Sequence, residues 1–240
     1  MDKSDLGHHI SQQFNSELEE LRNRVLAMGG LVEKQIADAV VSLAEADAEL
    51  ADRVITTDYQ VNAMEVNIDE ECTQVLARRQ PAASDLRLII AVIKTITDLE
   101  RIGDQAEKVA HMGLRLADKE RPKNNYQELQ NMGNLVREML HKALDAFARM
   151  DVEAALQVAH EDLNVDNQYE SIMRTRITHM MEDPRSIARS LDVMWASRAL
   201  ERIGDHSRNI CEYVIYLVKG KDVRHISLEQ MEKEALDKGR

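Results

Sequence analysis

MGGLVEKQIADAVVSLAEAD, residues 28–47, and MGNLVREMLHKALDAFARMD, residues 132–151, share Met, Gly, Leu, Val and a closing Asp at a constant offset of 104 residues. The same offset carries Asp58 onto Asp162, Val61 onto Val165 and Asn62 onto Asp166. Farther along, Pro81 answers Pro184 at an offset of 103, and the hexapeptide LERIGD stands at 99–104 and again at 200–205, an offset of 101. The shrinking offset means a net deletion of three residues, which loops absorb most easily. The chain is two copies of one unit.

Each unit reads as three helices. The 240 residues include nine glycines and three prolines, and aromatic residues make up 3%. Ala, Leu, Glu, Met, Arg and Gln dominate, the residue types that lose least on entering a helix. A β-sandwich would require more turn signals and more β-branched and aromatic residues. Pro81, Pro122 and Pro184 suit helix–helix connections. Asp47 and Asp151 are placed as N-caps, and Asp183 followed by Pro184 reads as a cap and a first helical residue. These signals predict helices at 8–45, 48–78, 85–118, 126–149, 152–181 and 185–219. On the second, Leu50, Val54, Val61, Ile68 and Val75 recur at three- and four-residue spacing. The fold class is all-α: two tandem, pseudo-symmetric antiparallel three-helix bundles, 1–120 and 121–220. A Lys- and Glu-rich tail at 221–240 is expected to be mobile or loosely docked.

The formal net charge of −12 argues against nucleic acid as a partner, since a phosphodiester backbone is held by excess Lys and Arg. Seven arginines between Arg174 and Arg208 are read chiefly as a solvated face that could meet an acidic protein surface. No apolar run approaches the ~20 residues that span a bilayer, so no direct membrane insertion is expected. MDKSDLGHHI lacks the apolar segment of a signal peptide. Cys72 and Cys211 have no metal or redox spacing and read as buried free thiols of a cytoplasmic protein.

The LERIGD repeat holds the chemistry. On a helix its Glu and Asp share one face a turn apart, a like-charge pair that disfavours the helix. Gly103 and Gly204 add about 1 kcal/mol each against helix formation relative to Ala. A feature that costs the helix twice and returns in both halves requires a compensating reason. Glu100, Asp104 and Glu107 continue the stripe of Ile89, Ile93 and Ile96, whereas Lys94, Asp98, Arg101, Gln105 and Lys108 fall on the expected solvent arc. Glu201 and Asp205 share their arc with Arg198, Arg208 and Glu212, so internal ion pairs could satisfy them. The preceding helices contribute Asp58 with Asn62, and Asp162 with Asp166. Four oxygen-bearing side chains from two helices suit a hard cation and would lose their mutual repulsion on binding it. The candidate ligands are Glu100, Asp104, Glu201 and Asp205, supported by Asp58, Asp162 and Asp166, for Mg, Mn, Ca, Zn or Fe. The competing reading makes the same residues ion-pair partners and caps.

The remaining chemistry is sparse. His111, His141, His160 and His179 are scattered; no Glu-x-x-His, HExxH, phosphate-cradling glycine loop or nucleophile elbow occurs. No catalytic residue is assigned. Met28, Met64, Met112 and Met132 read as core filler, and Trp195 as a core anchor or interface residue.

QPAASDLR at 80–87, LERIGD at 99, and LERIGDHSRNICEYVIYLVKG at 200–220 resemble the PhoU family, as do HHISQQFNSELEELRNRVLAMGG, LDAFARMD and MMEDPR. The similarity runs from about residue 8 to 226. It implies a cytoplasmic, non-enzymatic negative regulator of phosphate uptake and of the phosphate-starvation response, usually a homodimer. It implies contact with PstB, the ATPase of the phosphate ABC transporter, and with the sensor histidine kinase PhoR. The family's acidic metal motif maps onto Glu100/Asp104 and Glu201/Asp205, with Asn62 breaking the pattern at the first site. The alternatives are a di-metal enzyme or metal store, and a purely structural helical scaffold.

Overall fold

The computed structural model of the chain describes the backbone of residues 3–117, 119 and 126–236, and within these the side chains from residue 12 onward. Pro122 and the junction expected at 120/121 lie outside the described residues. The α-helices are α1 (Lys3–Glu45), α2 (Ala48–Thr57), α3 (Tyr59–Arg79), α4 (Ala83–Ala117), α5 (Gln127–Arg149), α6 (Val152–Glu182), α7 (Ile187–Lys219) and α8 (Leu228–Leu236). A 3₁₀ turn, Pro184–Ser186, leads into α7. The chain is all-α and built from two tandem repeats, as expected.

The same device opens the second helix of each repeat. Ala46 and Met150, 104 residues apart, both enter the left-handed region, with φ of 58° and 53°. Each is followed by an Asp whose carboxylate accepts from a backbone amide of the first turn: Leu50 N–H donates to Asp47 at 2.9 Å and Ala154 N–H to Asp151 at 3.0 Å. Asp183 likewise accepts from the Arg185 amide at 3.0 Å, ahead of Pro184.

The expected helix 48–78 is interrupted at Asp58, whereas its counterpart α6 runs unbroken through Asp162. The cause is local. Thr56 and Thr57 donate their hydroxyls to the Asp52 and Arg53 carbonyls, both at 2.7 Å, and such back-bonding competes with the helix ladder. His160 and Glu161 occupy the equivalent positions in α6 and carry no hydroxyl.

The repeats share one continuous core, with Val32, Ile36, Ile68, Ile96, Ile102, Met139, Val165, Ile203 and Val214 all in it. A pseudo-two-fold axis relates them. A Cβ on Gly29 of α1 would stand 2.4 Å from Leu144 of α5, and one on Gly133 of α5 would stand 2.4 Å from Val40 of α1. α4 and α7 form the most extensive contact in the molecule and put both faces of each helix to use. Asp98 shows this: expected on the solvent arc, it is 3% exposed and faces α7. Trp195 departs in the other direction, being 63% exposed and no core anchor.

The segment beyond α7 is more than a loose tail. Val223, Met231 and Ala235 are buried against Val152, Leu156 and Ala159 of α6 and Ile215 of α7, so α8 docks on the second repeat. Met28 and Met132 are fully buried, and Cys72 and Cys211 are buried free thiols. Burial pushes the Cys72 thiol up to about 12. Among the described residues no helix is long and apolar enough to cross a membrane.

Candidate metal centre

The helical glycines of the hexapeptide repeat explain themselves first. A Cβ on Gly103 would stand 3.1 Å from Asp58 Oδ1 and 3.3 Å from Gln35 Oε1; one on Gly204 would stand 3.2 Å from Asp162 Oδ1. In both repeats the missing side chain lets an aspartate of the second helix lie against the backbone of the third. This close approach accounts for the glycine at each position, and it adds a carboxylate to each like-charge pair.

In the first repeat Asp58, at the α2–α3 junction, is 6% exposed. The Gln35 amide donates to its Oδ1 and the Asn62 amide to its Oδ2, each at 3.2 Å. Burial raises the Asp58 carboxyl above its ordinary range, the Gln35 bond opposes this, and Asp104 adds to it. Ligand oxygens of Asp58, Asp104 and Glu107 lie within 4.8 Å of one another, the one such acidic group found among the described residues. Glu100 stands beside this trio. Its carboxyl is raised by burial first, then by Asp104, Glu65 and Asp58. Gln35 Oε1, which with Asp58 Oδ1 lies over the Gly103 backbone, is buried with no hydrogen-bond partner. His111 lies 3.6 Å from Glu107 on the outer side.

The second repeat is arranged otherwise. Asp162 is 4% exposed, and its carboxyl is pushed up to about 6 by burial, then by Asp166 and Asp205, with Arg208 pulling it back. Arg208 Nη1 donates to Asp162 Oδ2 at 3.4 Å, and its Nε lies 3.6 Å from Glu212. Arg198 donates to Glu201 Oε1 at 2.7 Å, while Glu201 Oε2 is buried without a partner. Glu201 and Asp205 are both raised, chiefly by burial. The internal ion pairs expected around Glu201 are therefore present. Asp166, expected in support, is exposed.

The sequence placed Glu107 on the acidic stripe but not among the ligands; its position three residues beyond Asp104 was the available signal. Gln35 went unnoticed, since nothing in the pattern of α1 marks it. Of the arginines read as a solvated face, Arg176 is buried and donates to Glu128 at 2.6 Å.

Chemically, the first cluster presents several carboxylates and an orphan amide oxygen, with two neutral amides as its donors. That oxygen-only set suits Mg, Ca, Mn or ferric iron better than Zn. No nucleophile–base pair accompanies it.

Residues 25–112 and 129–214 match the PhoU domain family. The chain is 57% identical over 234 residues to a phosphate-specific transport system accessory protein PhoU homolog of Pseudomonas putida, covering 98% of this chain and 91% of that one. The crystal structure of PhoU from Pseudomonas aeruginosa superposes with a TM-score of 0.84 at 56% identity, over 87% of this chain and all of that one. The phosphate transport system regulatory protein PhoU from Streptococcus pneumoniae gives 0.82 at 32% identity, over 88% of this chain and 99% of that one.

Proposed function

The chain belongs to the PhoU family, and on that premise we propose that it is an accessory protein of phosphate-specific transport that acts as a negative regulator by docking, without catalysis. In this reading it is cytoplasmic and homodimeric, and couples PstB of the phosphate transporter to the kinase PhoR. The two bundles, 1–120 and 121–220, serve as docking faces, with 221–240 as an appendage of the second. The observation that carries the reading is likeness over nearly the whole length to relatives named for phosphate transport.

The metal reading is narrower. Asp58, Asp104 and Glu107, with Glu100 beside them and the unpartnered Gln35 Oε1 near Asp58, are the residues we propose to hold a cation in the first repeat. A cation there would offset the carboxylate repulsion and brace the α2–α3 junction against α4. Glu201, Asp205, Asp162 and Asp166 make a weaker site, because a cation must compete with Arg208 and Arg198. Bracing would fix the relative orientation of two helices, and transporter conformation would bias which partner the face meets.

The test pairs elemental analysis of chelator-free protein with a phosphate-starvation reporter in cells lacking the chain. Asp58→Asn with Asp104→Asn is expected to remove the greater share of bound metal and to weaken repression; Asp162→Asn with Asp205→Asn should do less of both. Metal-free wild-type protein after reconstitution would end the cation reading. Full repression by a chain-deleted strain would end the regulator reading.

A further inference from the structure

The pseudo-two-fold axis gives each side chain at the α4–α7 seam a counterpart 101 residues away, and the two sides of the axis are filled differently. On one side Asp98 is enclosed. His206 Nδ1 donates to its Oδ1 at 2.6 Å, Asn209 Nδ2 to Oδ1 at 3.2 Å, and the Tyr213 hydroxyl to Oδ2 at 2.7 Å. Lys94 lies over the Tyr213 and Tyr216 rings, 5.4 and 5.3 Å from their centroids. A buried carboxylate there is fully met by donors and a cation stacks outside it.

On the other side, Gln105, Lys108 and Met112 stand where His206, Asn209 and Tyr213 stand, and Ala199 replaces Asp98. Two donor side chains, Gln105 and Lys108, remain on that wall, Met112 replaces the tyrosine, and the carboxylate is missing. What remains is a groove of about 290 Å³, lined by Gln105, Lys108, Met112, Trp195, Arg198 and Ala199. Trp195, in the place of Lys94, lies open to solvent. Leu191 and Ile187, both exposed, continue its stripe along α7 at four-residue spacing. Arg115 closes the end of the groove, and no acidic residue lines it, in a chain of net charge −12. Arg115 and Arg198 have carboxylates of their own in Asp192 and Glu201. Lys108 is exposed and has no carboxylate partner among the described residues.

We propose that this groove receives a carboxylate from a partner protein, carried on an acidic amphipathic helix whose apolar residues lie along Leu191 and Trp195. The incoming Asp or Glu occupies the place that Asp98 fills across the axis, accepting from the Gln105 amide and the Lys108 ammonium. Trp195 supplies the apolar contact, in the manner of an aromatic anchor beside a polar rim. A basic groove in a chain of net charge −12 favours an acidic partner segment as its occupant. Neither the cation nor the transporter contact is required for this groove to bind.

Trp195 is the only tryptophan and reports directly. Full-length protein is titrated with a blocked amphipathic peptide of Leu and Glu, and with its Leu and Gln counterpart, at low and high salt. The expected result is a saturable change in Trp195 emission with the Glu peptide, at least tenfold weaker for the Gln peptide and weakened by salt. Ala199→Asp, which supplies the carboxylate from within, should abolish it; Lys108→Glu should do the same on the surface, where folding is not at stake. Equal binding of both peptides, no saturable change, or unaltered binding by Lys108→Glu would overturn the assignment. So would a dimer that Trp195→Ala dissociates, since the face would then belong to a second copy.

Discussion

The two acidic clusters share a backbone and differ in how their charge is met. Each sets an aspartate against a helical glycine, yet where the first repeat has Glu107 the second has Arg208, at the same 101-residue offset. Where Gln35 donates to Asp58, the fully buried Met139 stands in the second repeat. The first cluster is thus met by neutral amides, whereas the second carries a guanidinium of its own. One fold has produced an acidic cluster with no lysine or arginine paired to it among the described residues and a second version that carries its own arginines. A buried acid needs a counter-charge from somewhere, and duplication allows the two copies to find it by different routes.

Exchanging the differing residues is the sharpest way to break this comparison. Arg208→Glu should make the second cluster resemble the first, leaving Asp162 buried beside another acid. We expect a loss of about 3 kcal/mol in urea unfolding at pH 8 without divalent cations, partly recovered with excess Mg²⁺. Unchanged stability would mean that Arg208 is no counter-ion to Asp162. Glu107→Arg is the converse exchange. It should weaken Mn²⁺ binding to the first cluster at least tenfold, about 1.4 kcal/mol by titration calorimetry, while raising the melting temperature of the cation-free protein. Retained affinity would move the cation elsewhere.

The smallest effect concerns Glu212, the other acid beside Arg208, which stands where the first repeat has His111. Burial pushes its carboxyl from 4.5 up to about 7, against the pull of Arg208 and Arg224. A carboxyl raised on folding favours the folded state below pH 4.5, and that contribution is lost as pH rises through about 7. The wild type should therefore lose stability between pH 5 and pH 8, and Glu212→Gln should flatten that decline by about 1 kcal/mol. Parallel pH profiles for both proteins would mean that Glu212 is already neutralised by Arg208 at all pH values.

Much of this was legible beforehand because it is local. Asp47, Asp151 and Asp183 cap helices through contacts within a few residues, and the repeat itself is written in the chain. The glycine–aspartate approach could be anticipated as a puzzle but not solved, since Gly103 and Asp58 meet only after α3 has folded back on α4. Asp98 is not legible in this way, because a single periodic stripe marks one buried arc, whereas α4 is buried on one side by its own bundle and on another by α7. The docked α8 was hidden by composition: Lys and Glu are as frequent in it as apolar residues, while Met231 and Ala235, one turn apart, seal its inner face.

The dyad also governs how the molecule comes apart. Gly29 and Gly133 lock α1 and α5 at one crossing, and Asp98 with His206 and Tyr213 fastens α4 to α7 at another, so neither repeat owns a closed interior. A half cut free between α4 and α5 would leave Asp98 without its His206, Asn209 and Tyr213 donors and would uncover part of the shared core. The duplicated halves share one core and are consequently expected to unfold by heat or denaturant in a single transition.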